Sequence, residues 1–276
     1  MFKTLYEIES VQRWLRRRAE LTKAEYLTRM DKFLVWSGPA IKVHDPDGFL
    51  AWAKKQPSGV HVQDLIDKYT EGMKPSTAHV HVAVLRGFLN RNGYRELPKI
   101  DWESTMSFAE GYTRQQIQEL LGYLDRPLQK LYVLSMKDSG LRANDLLYLR
   151  YKHIKPDLEA GKDFVNIRFE DERYKRRKAP GLTFLGPNSV SLLRELLKSG
   201  EVKRDPDARI FPYPYRTITY ELSLAKKRAS LPKEVQPNHG LRKFFHYGLQ
   251  AARIADLKAK QFEGHSNGTR DRKSVV

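Results

Sequence analysis

Apolar residues along the first hundred positions recur at helical spacing. Tyr26, Met30, Phe33 and Leu34 fall three and four residues apart, which sets them on one helical face. The pattern predicts helices over residues 11–14, 22–36, 60–69 and 76–90. Thr22 is the expected N-cap of the second, with Glu25 as its capping-box partner, and Ser37-Gly38-Pro39 is its expected stop. Ser76 is expected to cap the fourth, whose apolar stripe is Val80, Val84, Leu85 and Phe88. Met, Trp and Phe residues here are read as core rather than as a binding platform.

The period then breaks at Asn92-Gly93 and Leu97-Pro98. Residues 96–111 read as a linker of mixed charge without a sustained repeat. A boundary near residue 105 leaves a helical domain, 1–105, and a second domain, 106–276, both of ordinary size.

In the second part Thr113 and Gln116 form a capping box, and Ile117, Leu120, Leu121 and Leu124 mark a buried face. A helix over residues 127–137 opens on Pro127, which suits the first helical position. The helical pattern continues over residues 146–149. Alternation over residues 164–169 and 181–185 predicts strands joined by a charged turn, in a small antiparallel hairpin or three-stranded sheet. Helices are expected again at 188–197, 215–228, 241–252 and 255–262. The fold class is mainly α with a small antiparallel β-sheet: a helical domain followed by an α+β domain.

Charge narrows the partner. The chain carries a formal net charge of +17. Residues 1–105 hold 17 Lys+Arg against 13 Asp+Glu, while the rest hold 33 against 20. Most of the excess therefore lies in the second part, where a polyanion, nucleic acid first, is expected to bind. There is no cysteine, which excludes disulfides and zinc–thiolate sites. Apolar runs fall short of the roughly 18 residues that span a bilayer, and Glu7 and Glu9 interrupt any signal-peptide core. The expected location is cytoplasmic and nucleoid-associated, without membrane contact.

Four elements carry chemistry. Arg142 follows Ser139-Gly140 and opens a helical stretch, a placement that suits a phosphate. His239 and Arg242 are three apart on one side of a helix, where imidazole and guanidinium can share one phosphate while the imidazole handles a proton. Gly264-His265-Ser266 presents a further histidine after a helix end. The turn Asp171 to Lys178 is a basic tip from which a lysine could protonate a leaving oxygen. Its Arg173, Arg176, Arg177 and Lys178, with Lys243 beside Arg242, are candidate DNA-backbone contacts.

In order, spacing and texture these elements resemble the tyrosine recombinase (phage integrase) family over nearly the whole chain. Ser-Gly-Leu-Arg-Ala-Asn-Asp, ending at Asp145, is similar to the first-arginine box, with aspartate where glutamate is usual. His-Gly-Leu-Arg-Lys-Phe-Phe, from His239, has the form typical of archaeal virus and plasmid integrases, and Glu263-Gly264-His265-Ser266 resembles the Gly-His box. Residues 22–38 and 76–93 are similar to the family's core-binding domain. The resemblance implies a two-domain clamp on duplex DNA attachment sites, a monomer that self-assembles on DNA, and phosphoryl transfer needing no metal, nucleotide or other cofactor. It implies that Arg142 and Arg242 bind the scissile phosphate and that His239 assists proton transfer. His265 would hydrogen-bond a phosphate oxygen, and Lys175, with Lys178 as second choice, would act as general acid. A more distant alternative is a topoisomerase of the type IB kind, which shares the basic constellation but also needs a tyrosine.

The family nucleophile is a tyrosine that forms a 3′-phosphotyrosine. Its place, eight to ten residues past His265, is held by Lys273, Ser274 and Val275, and no tyrosine follows Tyr247. Tyr247 is expected to pack or touch DNA. The reading is a site-specific recombinase whose catalytic domain is truncated or altered at its C-terminal end and deficient in cleavage. The alternative is a DNA-binding protein of the same fold without strand transfer.

Overall fold

The computed structural model describes residues 5–100, 110–169 and 182–255, together with 258 and 262. The chain divides into two compact units, Met1–Ser107 and Phe108–Val276.

The first unit is helical: α1 (Glu9–Leu15), α2 (Glu20–Ile41), α3 (Pro46–Lys54), α4 (Gly59–Thr70) and α5 (Pro75–Arg91). Their apolar faces meet in one core that includes Val11, Met30, Phe33, Phe49, Ile66, Leu85 and Phe88, all fully buried. Phe33 sets the aromatic geometry, with its ring edge-on to Phe49 at 4.7 Å and to Tyr69 at 5.2 Å. Met30, Phe33 and Leu34 are buried as the period requires, and Tyr26 stacks on Trp14 at 5.4 Å.

Four sequence expectations fail in this unit. Helix α2 begins at Glu20 with Ala19 as N-cap, so Thr22 lies inside it. It also runs through Pro39 to Ile41. Pro39 forfeits the bond to the carbonyl of Val35 and crowds it, but Val35 is exposed and Lys42 N–H still closes the last turn on Gly38 O at 2.8 Å. Helix α5 starts at Pro75, so Ser76 is not its cap, and Val80 of the expected stripe is exposed. Helix α3 went unread, although Asp45 before Pro46 is a strong start signal: the Asp45 side chain accepts from Gly48 N–H.

The second unit is built round α7 (Pro127–Ser139), against which α6 (Arg114–Gly122), α8 (Ala143–Leu146), β2 (Leu182–Leu185), α10 (Pro187–Ser199) and α12 (Pro237–Ala251) pack. Helices α9 (Lys155–Glu159) and α11 (Tyr215–Arg228), and strand β1 (Val165–Arg168), complete it. The Thr113–Gln116 capping box opens α6 as its residues require. Among the described residues the sheet has two antiparallel strands rather than three, with Val165 opposite Leu185 and Ile167 opposite Thr183. Val165 and Ile167 turn into the core, as alternation demands. Asp157 on α9 fixes β1 by accepting from the backbone N–H and side-chain amide of Asn166 at 3.0 and 2.6 Å. Most of the turn between the strands, and of the helix expected at 255–262, lies outside the described residues.

Among the described residues no helix is long and apolar enough to cross a membrane.

Candidate phosphate-binding cleft

Helix α7 ends at Gly140, whose φ of +59° suits a residue without Cβ. A second constraint acts on the same residue, since a Cβ there would lie 2.1 Å from the Phe245 ring. Helix α12 therefore packs directly on the Gly140 backbone. That approach lets Arg242, one turn earlier on α12, donate from Nη1 to Gly140 O at 2.5 Å. Arg242 is only 8% exposed, so this carbonyl both satisfies and aims a cation that burial would otherwise penalise.

The chain turns from Gly140 through buried Leu141 to Arg142. Ser139 holds the turn: its hydroxyl donates to Ser135 O at 2.6 Å and accepts from Leu141 N–H, and its carbonyl accepts from Thr183 Oγ1 at 2.7 Å. Strand β2 is thereby tied to the arginine turn. Arg142 is the N-cap of α8, a helix of only four residues. A helix does begin after Arg142, but it stops at Leu146 instead of continuing over residues 146–149, and the guanidinium itself carries the positive charge. Its side chain is half exposed and lies 4.0 Å from Oδ2 of buried Asp145.

Three anchors fix α12. Asn238 is buried, accepts from Tyr132 Oη on α7 at 3.0 Å and donates to Thr219 Oγ1 on α11 at 2.8 Å. Gly240 lies under Tyr112 and Val235, where a Cβ would approach Val235 to 2.5 Å. Lys226, also buried, donates to Val235 O at 2.6 Å and Lys233 O at 3.1 Å, pinning the segment before the helix.

Together these contacts bring Arg142, His239, Arg242 and Lys243 to one open cleft of about 650 Å³. Tyr215 and Thr219 of α11 and His246 of α12 line it as well. Sequence reading missed those three and Asn238. For His246 a signal existed: it continues the three- and four-residue spacing of His239, Arg242 and Lys243. Asn238, four before Arg242, had the same signal; for Tyr215 and Thr219 there was none, because the packing of α11 on α12 brings them to the cleft.

The cleft gathers the cations Arg142, Arg242 and Lys243 beside two histidines. Desolvation holds the His239 pKa below the usual imidazole value, and the charges of Lys243 and Arg242 press it the same way. His239 is thus neutral at pH 7 and able to accept a proton. Tyr247 is exposed and packs against Gly111 rather than lining the cleft. Lys175, Arg173, Arg176, Arg177, Lys178, His265, Lys273 and Ser274 lie outside the described residues. Among the described residues no group of three or more His, Asp or Glu side chains could hold a metal ion.

No protein-family model and no curated protein matches the sequence. Solved structures do. XerH site-specific recombinase bound to its difH substrate in a pre-cleavage complex has a TM-score of 0.67 at 18% identity, over 96% of this chain and 81% of that one. Lambda integrase bound to DNA gives 0.61 at 13% identity, over 97% and 98%. A lambda integrase dimer bound to a COC′ core site gives 0.60 at 14% identity, over 95% and 93%. At this identity the likeness is one of architecture: the chain has the fold of the tyrosine recombinases.

Proposed function

We propose that this chain is a site-specific recombinase or integrase that binds duplex DNA through the cleft. One observation carries the reading. Arg142, His239 and Arg242, from segments about a hundred residues apart, line the same basic cleft, with Arg242 aimed by the Gly140 carbonyl.

In this reading the two arginines hold the scissile phosphate and stabilise charge on its non-bridging oxygens as it develops, from positions set before the reaction. Neutral His239 accepts or returns a proton at that phosphate. Lys175 serves as general acid toward the leaving 5′ oxygen, and His265 adds a phosphate contact. Arg173, Arg176, Arg177, Lys178 and Lys243 hold neighbouring phosphates. The 1–105 segment supplies further duplex contacts, and copies of the chain assemble on DNA, in keeping with the lambda integrase dimer on its core site.

A second reading, DNA binding without strand transfer, is favoured by Tyr247, which stands against Gly111 instead of lining the cleft. Trapping on nicked duplexes with randomised cores separates the two. A covalent protein–DNA adduct establishes strand transfer. Salt-sensitive binding without an adduct supports the binding-only reading. Absence of salt-sensitive duplex binding overturns both.

A further inference from the structure

Helix α12 presents its basic side chains as a ridge rather than as a pair. His239, Arg242, Lys243 and His246 stand at positions i, i+3, i+4 and i+7, and all four line the cleft. The opposite face of the helix is fixed, because Leu241, Phe245 and Leu249 are buried. The ridge therefore cannot rotate away, and from His239 to His246 it runs about 10.5 Å along the axis. That is longer than one phosphate group. Arg242 is tied to Gly140 O, two residues from Arg142, so the two arginines converge on the middle of the ridge. His246 lies a full turn beyond Arg242, toward the helix C-terminus.

We infer that His246 binds a second phosphate, the one adjacent on the same strand to the phosphate held by Arg142 and Arg242. The inference rests on the reading of the cleft as a DNA phosphate site and deepens it. His246 is then a register-setting contact: with two successive phosphates gripped, the strand cannot slide along the ridge, and only one phosphodiester meets Arg142 and His239. An imidazole N–H reaching a phosphate oxygen makes a charge-assisted hydrogen bond, and such a bond is worth about tenfold in affinity.

The test uses the full chain and two small probes, thymidine 5′-monophosphate and thymidine 3′,5′-bisphosphate, titrated to millimolar concentration by calorimetry or NMR. The expected result is a bisphosphate preference of about tenfold. In His246→Ala the ratio of the two affinities should fall to near one, and His246→Gln, which keeps an N–H donor, should restore part of it. Arg242→Ala should weaken both probes. No bisphosphate preference, no binding of either probe, or an unchanged ratio in His246→Ala would each overturn the inference. Duplex binding measured on the same samples keeps the two ideas apart. Salt-sensitive duplex binding without the preference sinks the second-phosphate site alone, while loss of duplex binding in the unaltered chain sinks the reading of the cleft.

Discussion

Arg242 and Gly140, 102 residues apart in the chain, are joined by a hydrogen bond between guanidinium and carbonyl that sets one wall of the cleft. The bond depends on Gly140 twice: its left-handed φ presents the carbonyl, and its missing side chain admits Phe245.

Gly140→Ala is therefore expected to be severe. A left-handed alanine and an overpacked Phe245 ring together cost roughly 2–5 kcal/mol. Urea unfolding measures the loss, and duplex affinity should fall with it. An alanine variant as stable as the parent chain would mean that Gly140 is not under these constraints.

Arg142 answers differently because it is half exposed and sits on a turn. Arg142→Ala should leave unfolding within about 0.5 kcal/mol of the parent. Any covalent adduct on nicked duplex should vanish while much of the DNA binding remains. The salt dependence of binding should lose about 0.9 of a log unit per log unit of salt, the share of one phosphate contact. A collapse of binding equal to the loss of adduct would make Arg142 a docking residue.

Asn238 bridges α7 and α11 from inside the fold. Asn238→Ala strands the Tyr132 hydroxyl, which is fully buried, at a cost of about 1–3 kcal/mol. Tyr132→Phe removes the stranded donor, so the double variant should lose less than the sum of the two single changes. Additive losses in a denaturant series would show that the two side chains do not share a bond.

Acid should act on the strand anchor. The Lys162 ammonium, followed by the two Asn166 donors, lowers the Asp157 pKa to about 2 from an ordinary 3.8. Its stabilising contribution is complete above pH 4 and is lost as the pH falls toward 2. Asp157→Ala should be less stable at pH 7 and should show a flatter decline between pH 4 and pH 2. Parallel acid-unfolding curves for parent and variant would refute this.

His239 carries the opposite charge logic. Its pKa is held below the ordinary 6.5, so the unfolded chain takes up the proton more readily than the folded one. Stability is full above pH 6.5 and declines as the pH falls below it. His239→Gln should remove that part of the decline. Inorganic phosphate, by stabilising the imidazolium, should oppose the decline in the parent chain only. Thermal melts from pH 7.5 to 5, with and without phosphate, read both effects.

Elements whose physics is local were legible in the chain. Helix periods placed Met30, Phe33, Ile117 and Leu120 in the cores, the Thr113–Gln116 pair opened its helix, and the predicted span of residues 215–228 matches α11 residue for residue. Expectations failed where local signals competed. Ser37-Gly38-Pro39 carries strong breakers, yet one lost hydrogen bond in the final turn of α2 did not outweigh the burial of Ser37 and Gly38.

The sequence by itself determined the fold class, the basic excess of the second part, and the shared helical face of His239 and Arg242, because periodicity, charge and i,i+3 spacing are properties of short segments. Only the tertiary structure decided that Arg142 meets that face, that Gly140 aims Arg242, and that Tyr215 and Thr219 belong to the same neighbourhood. These relationships depend on how α7, α11 and α12 pack. That packing is set by contacts such as Phe245 on Gly140 and Tyr132 on Asn238, between residues roughly a hundred positions apart, which no local pattern encodes.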